Sequence, residues 1–311
     1  MLEKFSIAIH GGAGTLSRGQ MSQEKEQLYK SKLKEALSAG VSVLKSGGLA
    51  IDAVEFAVRI LEDSPLFNAG KGSVFTHEGK HEMDACIMDG LGRKAGAVAG
   101  IYGVRNPISL ARLVMEKSGH VILCSQGAME FAKKMDVVFE PESYFYDELR
   151  FKQWQQALQE GIVQLDHSPL DEKKFGTVGA VARDIQGNLA AATSTGGMTN
   201  KQFGRVGDSP IPGAGNYANN NTCAVSCTGS GEYFIRGVVA YDVSCLIEYK
   251  GLSLKEACEE VIQKRVLNLG GDGGLIAVSP EGDLSLVFNT EGMYRAFHDA
   301  SGQEAVEIYK D

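Results

Sequence analysis

Two threonines in the second half of the chain could support acyl transfer. Thr177 follows Gly176 and opens a short apolar run, and Thr195 ends the next one. A threonine hydroxyl is a weak nucleophile unless a base removes its proton. Cleavage of the Gly176–Thr177 bond would give Thr177 a free α-amine, and a pKa of about 7.7–8.0 makes such an amine a usable base near neutral pH. For an isolated Gly-Thr pair, however, the ordinary interpretation is a strand threonine after a loop glycine.

The loops after Thr195 carry groups that suit a small zwitterionic substrate. Arg205 could bind a carboxylate in a bidentate pair, and Asp208 could receive an ammonium group. The turn at Thr228 and Gly229 offers a hydroxyl and a backbone N–H that could stabilise an oxyanion. Taken alone, Arg205 and Asp208 could equally form a surface ion pair.

Several long motifs follow one another along nearly the whole chain. They include Ile-His-Gly-Gly-Ala-Gly (9–14), Pro-Leu-Phe-Asn-Ala-Gly-Lys-Gly (65–72), Met-Asp-Ala-Cys-Ile-Met-Asp-Gly (83–90), Gly-Thr-Val-Gly-Ala-Val-Ala (176–182), Gly-Arg-Val-Gly-Asp-Ser-Pro (204–210) and Ser-Cys-Thr-Gly-Ser-Gly-Glu (226–232). Together they resemble the plant-type asparaginase/isoaspartyl peptidase family of N-terminal nucleophile (Ntn) hydrolases. The chain departs from the family pattern at Phe203, where relatives often carry proline, and at Asn216, which fills a variable position between Gly215 and Tyr217, so both are expected to reshape the pocket rim.

The resemblance implies a reaction and a role for each site residue. It implies self-cleavage into 1–176 and 177–311, followed by hydrolysis of β-aspartyl (isoaspartyl) dipeptides and of the side-chain amide of L-asparagine. Thr177 would be both nucleophile and base, with the remaining roles falling to Thr195 for tuning the amine, Thr228 and Gly229 for the oxyanion, and Arg205, Asp208, Gly231 and Asn68 for the substrate. Two alternatives stay open: a glycosylasparaginase, and an uncleaved relative that binds an amino acid without catalysis.

The loop at 61–72 is the candidate ion site, because it has few acidic side chains and many backbone carbonyls. The resemblance implies a structural sodium ion that stiffens the loop presenting Asn68, held by the carbonyls of Leu61, Glu62, Ser64, Phe67, Ala69 and Lys71. No cofactor is expected for the chemistry. A metal site at Asp84 and Asp89 is disfavoured because no histidine lies nearby, and a nucleotide at 10–14 because the spacing is not G-x-G-x-x-G.

Composition restricts the partners and the compartment. The chain has 311 residues, 43% of them hydrophobic, and a net charge of −8, which argues against nucleic acid. The six cysteines lie mostly among apolar residues, which favours buried thiols in a reducing compartment. The apolar run at the start of the chain is too short for a signal peptide, and no apolar run is long enough to span a membrane. We therefore expect a cytoplasmic protein, and the resemblance implies a homodimer of cleaved protomers.

Local patterns predict an α+β fold in a single domain, 1–311, and the resemblance implies a four-layer αββα sandwich. Helices are predicted at 22–45, from 51 and from 107, with a capping box at 253–256 opening another. A hairpin is predicted at 177–193, strands at 5–9, 95–104, 224–228 and 232–239, and a closing hairpin at 274–288. Residues 140–176 are predicted to form an exposed, mobile linker with one helix at 151–158.

Overall fold

The computed structural model describes residues 5–19, 21–163 and 176–310. The helices are α1 (Gln23–Lys45), α2 (Ala50–Glu62), α3 (Pro107–Leu113), α4 (Ser125–Lys134), α5 (Glu142–Phe145), α6 (Glu148–Glu160), α7 (Gly231–Gly237), α8 (Val239–Lys250) and α9 (Leu254–Glu259). The strands are β1 (Ser6–Gly14), β2 (Met83–Asp89), β3 (Lys94–Ile101), β4 (Ile122–Cys124), β5 (Val178–Arg183), β6 (Leu189–Thr195), β7 (Asn216–Asn219), β8 (Cys223–Gly229), β9 (Gly273–Val278), β10 (Leu284–Phe288), β11 (Gly292–His298) and β12 (Glu304–Tyr309).

Two sheets form the centre of the molecule. The larger has eight strands in the order β12-β11-β1-β5-β6-β2-β3-β4, and the smaller has four in the order β10-β9-β8-β7. One face of the large sheet packs against α1, α2 and α3, and its other face packs against the small sheet, whose far face is covered by the helices from α7 to α9. The order of layers is therefore helix, sheet, sheet, helix, and the α+β sandwich prediction is confirmed. Among the described residues, no helix combines the length and apolar character needed to cross a bilayer.

Helices α1 and α9 begin where their capping signals predict. Ser22 accepts a hydrogen bond from the backbone N–H of Lys25 at the start of α1, and the capping box of Ser253 and Glu256 opens α9. Such caps satisfy backbone N–H groups that have no partner inside the helix. Beyond α9 the chain continues as a π-helix to Val266. Because these signals are local, the helix starts were readable from sequence.

The β5–β6 hairpin brings the two candidate threonines together. Its strands are antiparallel, with Val178 opposite Ser194 and Arg183 opposite Leu189. The Asp184 side chain closes the turn by accepting hydrogen bonds from the N–H groups of Gln186 and Asn188. Thr177 immediately precedes β5 and Thr195 ends β6, so this register places them side by side.

Two strand predictions differ from the structure. Residues 232–239 form helix α7 and the start of α8 rather than a strand. The buried side chains there are Phe234, Val239, Ala240 and Val243, a helical spacing that local alternation concealed. Strand β1 continues through the glycine-rich stretch to Gly14, with a bulge after His10, because it pairs with β11.

The predicted linker at 140–176 begins too early. Helices α5 and α6 occupy its first part, and Phe145 and Arg150 are buried there. Aromatic stacking anchors α6, since Trp154 packs on Phe75 with ring centroids 5.6 Å apart. Residues 164–175 lie outside the described residues.

Candidate active site

One pocket collects most of the predicted site residues. Its lining residues are Ala13, Gly176, Thr177, Thr195, Gly197, Met198, Arg205, Gly207, Asp208, Ser209, Thr228, Gly229, Ser230 and Asp272. Gly231 and Asn68 lie directly behind this lining. The pocket lies where the ends of β6 and β8, which belong to different sheets, approach the glycine-rich end of β1. Neither Phe203, which is 97% exposed, nor the fully buried Asn216 lines it.

The threonine hydroxyls form a short hydrogen-bonded chain at the cleavage site. Thr177 Oγ1 donates to Thr195 Oγ1 over 3.2 Å, and Thr195 Oγ1 donates to the carbonyl oxygen of Gly176 over 3.2 Å. The backbone N–H of Gly197 donates to the same Thr195 oxygen over 3.0 Å. Thr177 and Thr195 are both buried. Hydrogen bonds thus connect the candidate nucleophile Thr177, its neighbour Thr195 and the Gly176 carbonyl.

His10 supports Thr177 from strand β1. Its Nδ1 lies 3.1 Å from the carbonyl oxygen of Thr177, and its Nε2 lies 3.0 Å from Ser226 Oγ. A carbonyl can only accept, so Nδ1 carries the proton and the neutral ring accepts at Nε2. Complete burial lowers the pKa of His10 to about 3, which keeps the ring neutral. His10 therefore fixes the Thr177 backbone rather than acting as its base.

Gly179 is required beside this histidine. A Cβ at Gly179 would lie 2.4 Å from His10 Nε2 and 2.0 Å from Ser226 Oγ. Real side chains do not make contacts this short, so any larger residue would displace the hydrogen-bonded pair. The glycine of the Gly-Thr-Val-Gly motif is explained by this close approach.

Asn68 connects the 61–72 loop to the cleavage site. Its Nδ2 donates to the carbonyl oxygen of Gly197 over 2.7 Å, while its Oδ1 accepts from the N–H of Val74 over 3.1 Å. A Cβ at Gly176 would lie 3.4 Å from Asn68 Nδ2. Because both ends of the amide are engaged, a shift of the loop would move the strand end that carries Thr195.

The turn at the end of β8 presents the candidate oxyanion donors. Thr228 Oγ1 accepts a hydrogen bond of 3.3 Å from the N–H of Ala13, which leaves its own hydrogen free to donate elsewhere. A Cβ at Gly229 would lie 2.3 Å from the carbonyl oxygen of Asp272, so only glycine fits. The hydroxyl and the Gly229 backbone therefore face the pocket on the side contributed by the small sheet.

Arg205 and Asp208 do not pair with each other. Arg205 contacts Glu232 instead, with its Nε and Nη2 at 2.9 and 2.8 Å from Glu232 Oε1. Asp208 is buried, and its Oδ2 has no hydrogen-bond partner among the described residues. Burial raises the pKa of Asp208 to about 7. An unpaired buried carboxylate oxygen in a pocket favours a cationic ligand group.

Gly231 separates these two side chains. A Cβ there would lie 2.8 Å from Asp208 Oδ1 and 3.0 Å from Arg205 Nη2. The absence of a side chain at position 231 thus leaves room beside both charged groups. This is a space-filling reason for the glycine at the start of α7.

The 61–72 loop folds tightly on its own backbone. A Cβ at Gly72 would lie 2.0 Å from the carbonyl oxygen of Phe67, and one at Gly70 would lie 2.4 Å from that of Glu62. Glu62 Oε1 accepts from Ser194 Oγ over 2.6 Å, whereas Oε2 has no partner in the described part of the chain. Burial raises the pKa of Glu62 to about 8. The carbonyls crowd into a cradle that side chains do not fill, which is compatible with a small hard cation.

The disfavoured metal pair is separated by the strand. Asp84 and Asp89 stand near opposite ends of β2, and Asp84 Oδ1 accepts a hydrogen bond of 2.8 Å from the N–H of Gly100. An odd separation of five residues points their side chains to opposite faces. In the described ranges, no group of three or more His, Cys, Asp or Glu residues could hold a metal ion.

Sequence reasoning missed the three residues His10, Glu232 and Asp272. His10 lies in a motif that was noticed for its glycines, and its contact with Thr177 depends on β1 pairing with β5. Glu232 lies at a position predicted as strand, so its approach to Arg205 was hidden. Asp272 lies between glycines with no local signal. The histidine alone could have been suspected from its motif.

Known proteins are similar to this chain over almost its entire length. A family model described as Asparaginase matches residues 3–308. The isoaspartyl peptidase of Escherichia coli (strain K12) is 55% identical, across 99% of this chain and 97% of the relative. The plant-type L-asparaginase of Pyrococcus abyssi (strain GE5 / Orsay) is 44% identical, across 94% and 95%. The isoaspartyl peptidase/L-asparaginase of Homo sapiens is 44% identical, across 89% and 87%. The residues that the family model matches include all those that line the pocket.

Proposed function

Because this chain belongs to the asparaginase family, we propose that it hydrolyses isoaspartyl dipeptides and the side-chain amide of L-asparagine. The observation that carries the proposal is the shared pocket. It joins a threonine nucleophile candidate, whose hydroxyl lies 3.2 Å from Thr195, to a buried and unpartnered Asp208 oxygen. A nucleophile and a carboxylate that can accept an ammonium group lie in one site. This arrangement suits an α-amino acid substrate that is attacked at its side-chain carbonyl.

The first step in this proposal is self-cleavage. Thr177 Oγ1 attacks the carbonyl carbon of Gly176, its proton passes to the Thr177 nitrogen, the C–N bond breaks, and the acyl group moves from nitrogen to oxygen as an ester. Water then hydrolyses the ester, which leaves a carboxylate on Gly176 and a free α-amine on Thr177. The hydrogen bond from Thr195 to the Gly176 carbonyl supports this step, because it polarises the carbonyl under attack.

The second step repeats the chemistry on the substrate. The Thr177 amine takes the hydroxyl proton while Oγ1 attacks the β-carbonyl carbon, and Thr228 Oγ1 and the Gly229 N–H donate to the oxyanion. The protonated amine then gives its proton to the leaving nitrogen, and an aspartyl ester remains on Thr177. Water, deprotonated by the same amine, releases aspartate. Each oxyanion donor contributes about 3 kcal/mol to such a transition state.

Recognition would use the charged groups opposite the threonines. Arg205 would bind the substrate α-carboxylate, partly replacing its contact with Glu232, and Asp208 would receive the α-ammonium. The space kept open by Gly231 supports this assignment, since a side chain there would meet both groups. Thr195 would hold the freed amine, and Asn68 would keep its loop in place.

The decisive experiment combines fragment sequencing with three assays. The purified protein should give two fragments in a denaturing gel, and the smaller should begin at Thr177. Asparagine and β-aspartyl-leucine should then be hydrolysed, and a glycosylated asparagine should be a poor substrate. Preference for the glycosylated substrate would favour a glycosylasparaginase, and one intact, inactive chain would favour a binding protein.

We also propose a structural sodium ion in the 61–72 loop. The carbonyls of Leu61, Glu62, Ser64, Phe67, Ala69 and Lys71 would hold it, and the cradle at Gly70 and Gly72 supports the fit. The ion would stiffen the loop that carries Asn68 and take no part in bond breaking. Thermal unfolding in sodium chloride should show a higher midpoint than in choline chloride at equal ionic strength. Equal midpoints would contradict the ion site.

A cytoplasmic homodimer of cleaved protomers completes the proposal. The six cysteines are all free thiols, and four of them are buried, which suits a reducing compartment. Sedimentation of the cleaved protein should give the mass of two complete chains. A mass of one chain would contradict the dimer.

A further inference from the structure

An acidic side chain stands beside the proposed oxyanion donors with no assigned role. Asp272 lines the pocket and is exposed, in the loop that leads into β9. The Ser230 hydroxyl donates to Asp272 Oδ1, and the Ser230 N–H donates to the Asp272 carbonyl oxygen over 3.0 Å. These two hydrogen bonds fix the carboxylate next to Gly229.

The charges lining the pocket are unbalanced once a substrate is bound. Arg205, Asp208 and Asp272 are the charged lining residues within the described chain. The first two are engaged by the α-carboxylate and α-ammonium of the aspartyl group, and Glu232 adds a further negative charge beside Arg205. Asp272 therefore faces the remaining space without a lysine or arginine of its own among the described lining residues, and the Thr177 amine must be neutral to act as base.

That remaining space is where the leaving group must lie. The β-carbonyl oxygen points to Thr228 and Gly229, and the aspartyl carbon chain extends toward Arg205 and Asp208. The third substituent of the carbonyl carbon, the leaving nitrogen, must diverge from both. The exposed Asp272, which is adjacent in space to Gly229, borders this open side of the pocket.

The two proposed substrates differ in charge at this place. Asparagine releases ammonia, which brings no carboxylate. An isoaspartyl dipeptide releases an amino acid whose α-carboxylate is separated from the leaving nitrogen by a single carbon. Resting on the proposed function, we propose that Asp272 is a specificity-determining residue that disfavours leaving groups with a free carboxylate and favours uncharged or cationic ones.

The test compares substrates that differ only in leaving-group charge. The wild type should hydrolyse β-aspartyl-leucine amide with a higher kcat/KM than β-aspartyl-leucine, and the difference should shrink in 0.5 M sodium chloride because salt screens the repulsion. Asp272→Asn keeps an oxygen acceptor for Ser230 but removes the charge. It should raise kcat/KM for β-aspartyl-leucine about fivefold, leave asparagine within about twofold, and lower kcat/KM for β-aspartyl-lysine amide, whose leaving group is cationic and has no carboxylate. Asp272→Glu should retain the wild-type order.

Controls separate this inference from general effects. Glu248→Gln removes one charge from an exposed residue of α8 outside the pocket lining, and it should leave all the ratios unchanged. Equal changes for every substrate in Asp272→Asn, or a wild-type preference that ignores salt, would overturn the inference alone. A cleaved wild type that hydrolyses none of these substrates would overturn the proposed function and the inference together.

Discussion

The two sides of the pocket are built differently. In the proposed mechanism, the reacting side consists of Thr177, Thr195 and Thr228, uncharged residues at or next to strand ends in two sheets. The recognition side consists of Arg205 and Asp208, charged residues on the irregular chain between β6 and β7. Backbone pairing fixes the hydroxyls, whereas Gly231 leaves room beside the charged groups. We therefore expect that bond making and substrate choice can be changed separately by mutation.

Burial also acts in opposite ways on the two sides. His10, behind the reacting side, is buried and hydrogen-bonded at both nitrogens, so it stays neutral at no cost in unpaired groups. Asp208 is buried with one oxygen unpartnered, and its pKa rises to about 7. The first arrangement is complete without a ligand, and we expect an ammonium group of the substrate to complete the second.

The largest effect should come from Thr177→Ala. This change removes the hydroxyl that both proposed steps require, so fragment formation and turnover should both disappear. Mass spectrometry would detect the fragments, and ammonia release from asparagine would report turnover. Thr195→Ser, which keeps the neighbouring hydroxyl, should still cleave. Turnover by uncut Thr177→Ala would contradict the reacting side as described.

Arg205→Lys should separate the two sides. Lysine keeps the positive charge but loses the bidentate geometry, so kcat/KM for asparagine should fall about 100-fold. Self-cleavage should continue, because it involves no substrate carboxylate. Gel densitometry over time would follow cleavage, and steady-state kinetics would follow turnover. A variant that no longer cleaves itself would show that the two sides are coupled.

The pH dependence of turnover should reveal both sides at once. The proposed mechanism needs Asp208 ionised, with a pKa of about 7, and the Thr177 amine neutral, with a pKa of about 7.7–8.0. Below pH 7 the logarithm of kcat/KM should therefore rise with a slope greater than one, and each pH unit should cost more than about tenfold. A limiting slope of one would mean that a single group titrates.

The smallest effect should come from His10→Gln, measured as stability in the uncut Thr177→Ala chain. Loss of the Ser226 contact should lower the free energy of unfolding at pH 7 by about 1–3 kcal/mol. The pKa of His10 falls from 6.5 to about 3 on folding. The contribution of neutral His10 to the free energy of unfolding is therefore fully present above pH 6.5. It is lost as the pH falls toward 3.

Urea unfolding at two pH values would check this sign. Between pH 7 and pH 5, His10 should account for about 2 kcal/mol of lost stability, which the His10→Gln chain should not lose. Ser226→Ala, which keeps the histidine, should retain the acid sensitivity. Equal losses with and without the histidine would contradict its neutral, buried state.

The sequence by itself determined the elements whose signals are local. The turn at Asp184–Asn188 and the caps at Ser22 and Ser253 fixed a hairpin and two helix starts, since side chains there bond to nearby backbone groups. The motifs also named the threonines, Arg205 and Asp208, all of which line one pocket.

Only the tertiary structure decided which distant residues touch. His10 reaches Thr177 because β1 pairs with β5, and Asp272 reaches Gly229 because β9 pairs with β8. Glu232 faces Arg205 because its segment packs as helix α7 rather than as the strand that local alternation suggested. Such contacts depend on sheet pairing between segments far apart in the chain, and no local pattern of residues encodes that pairing.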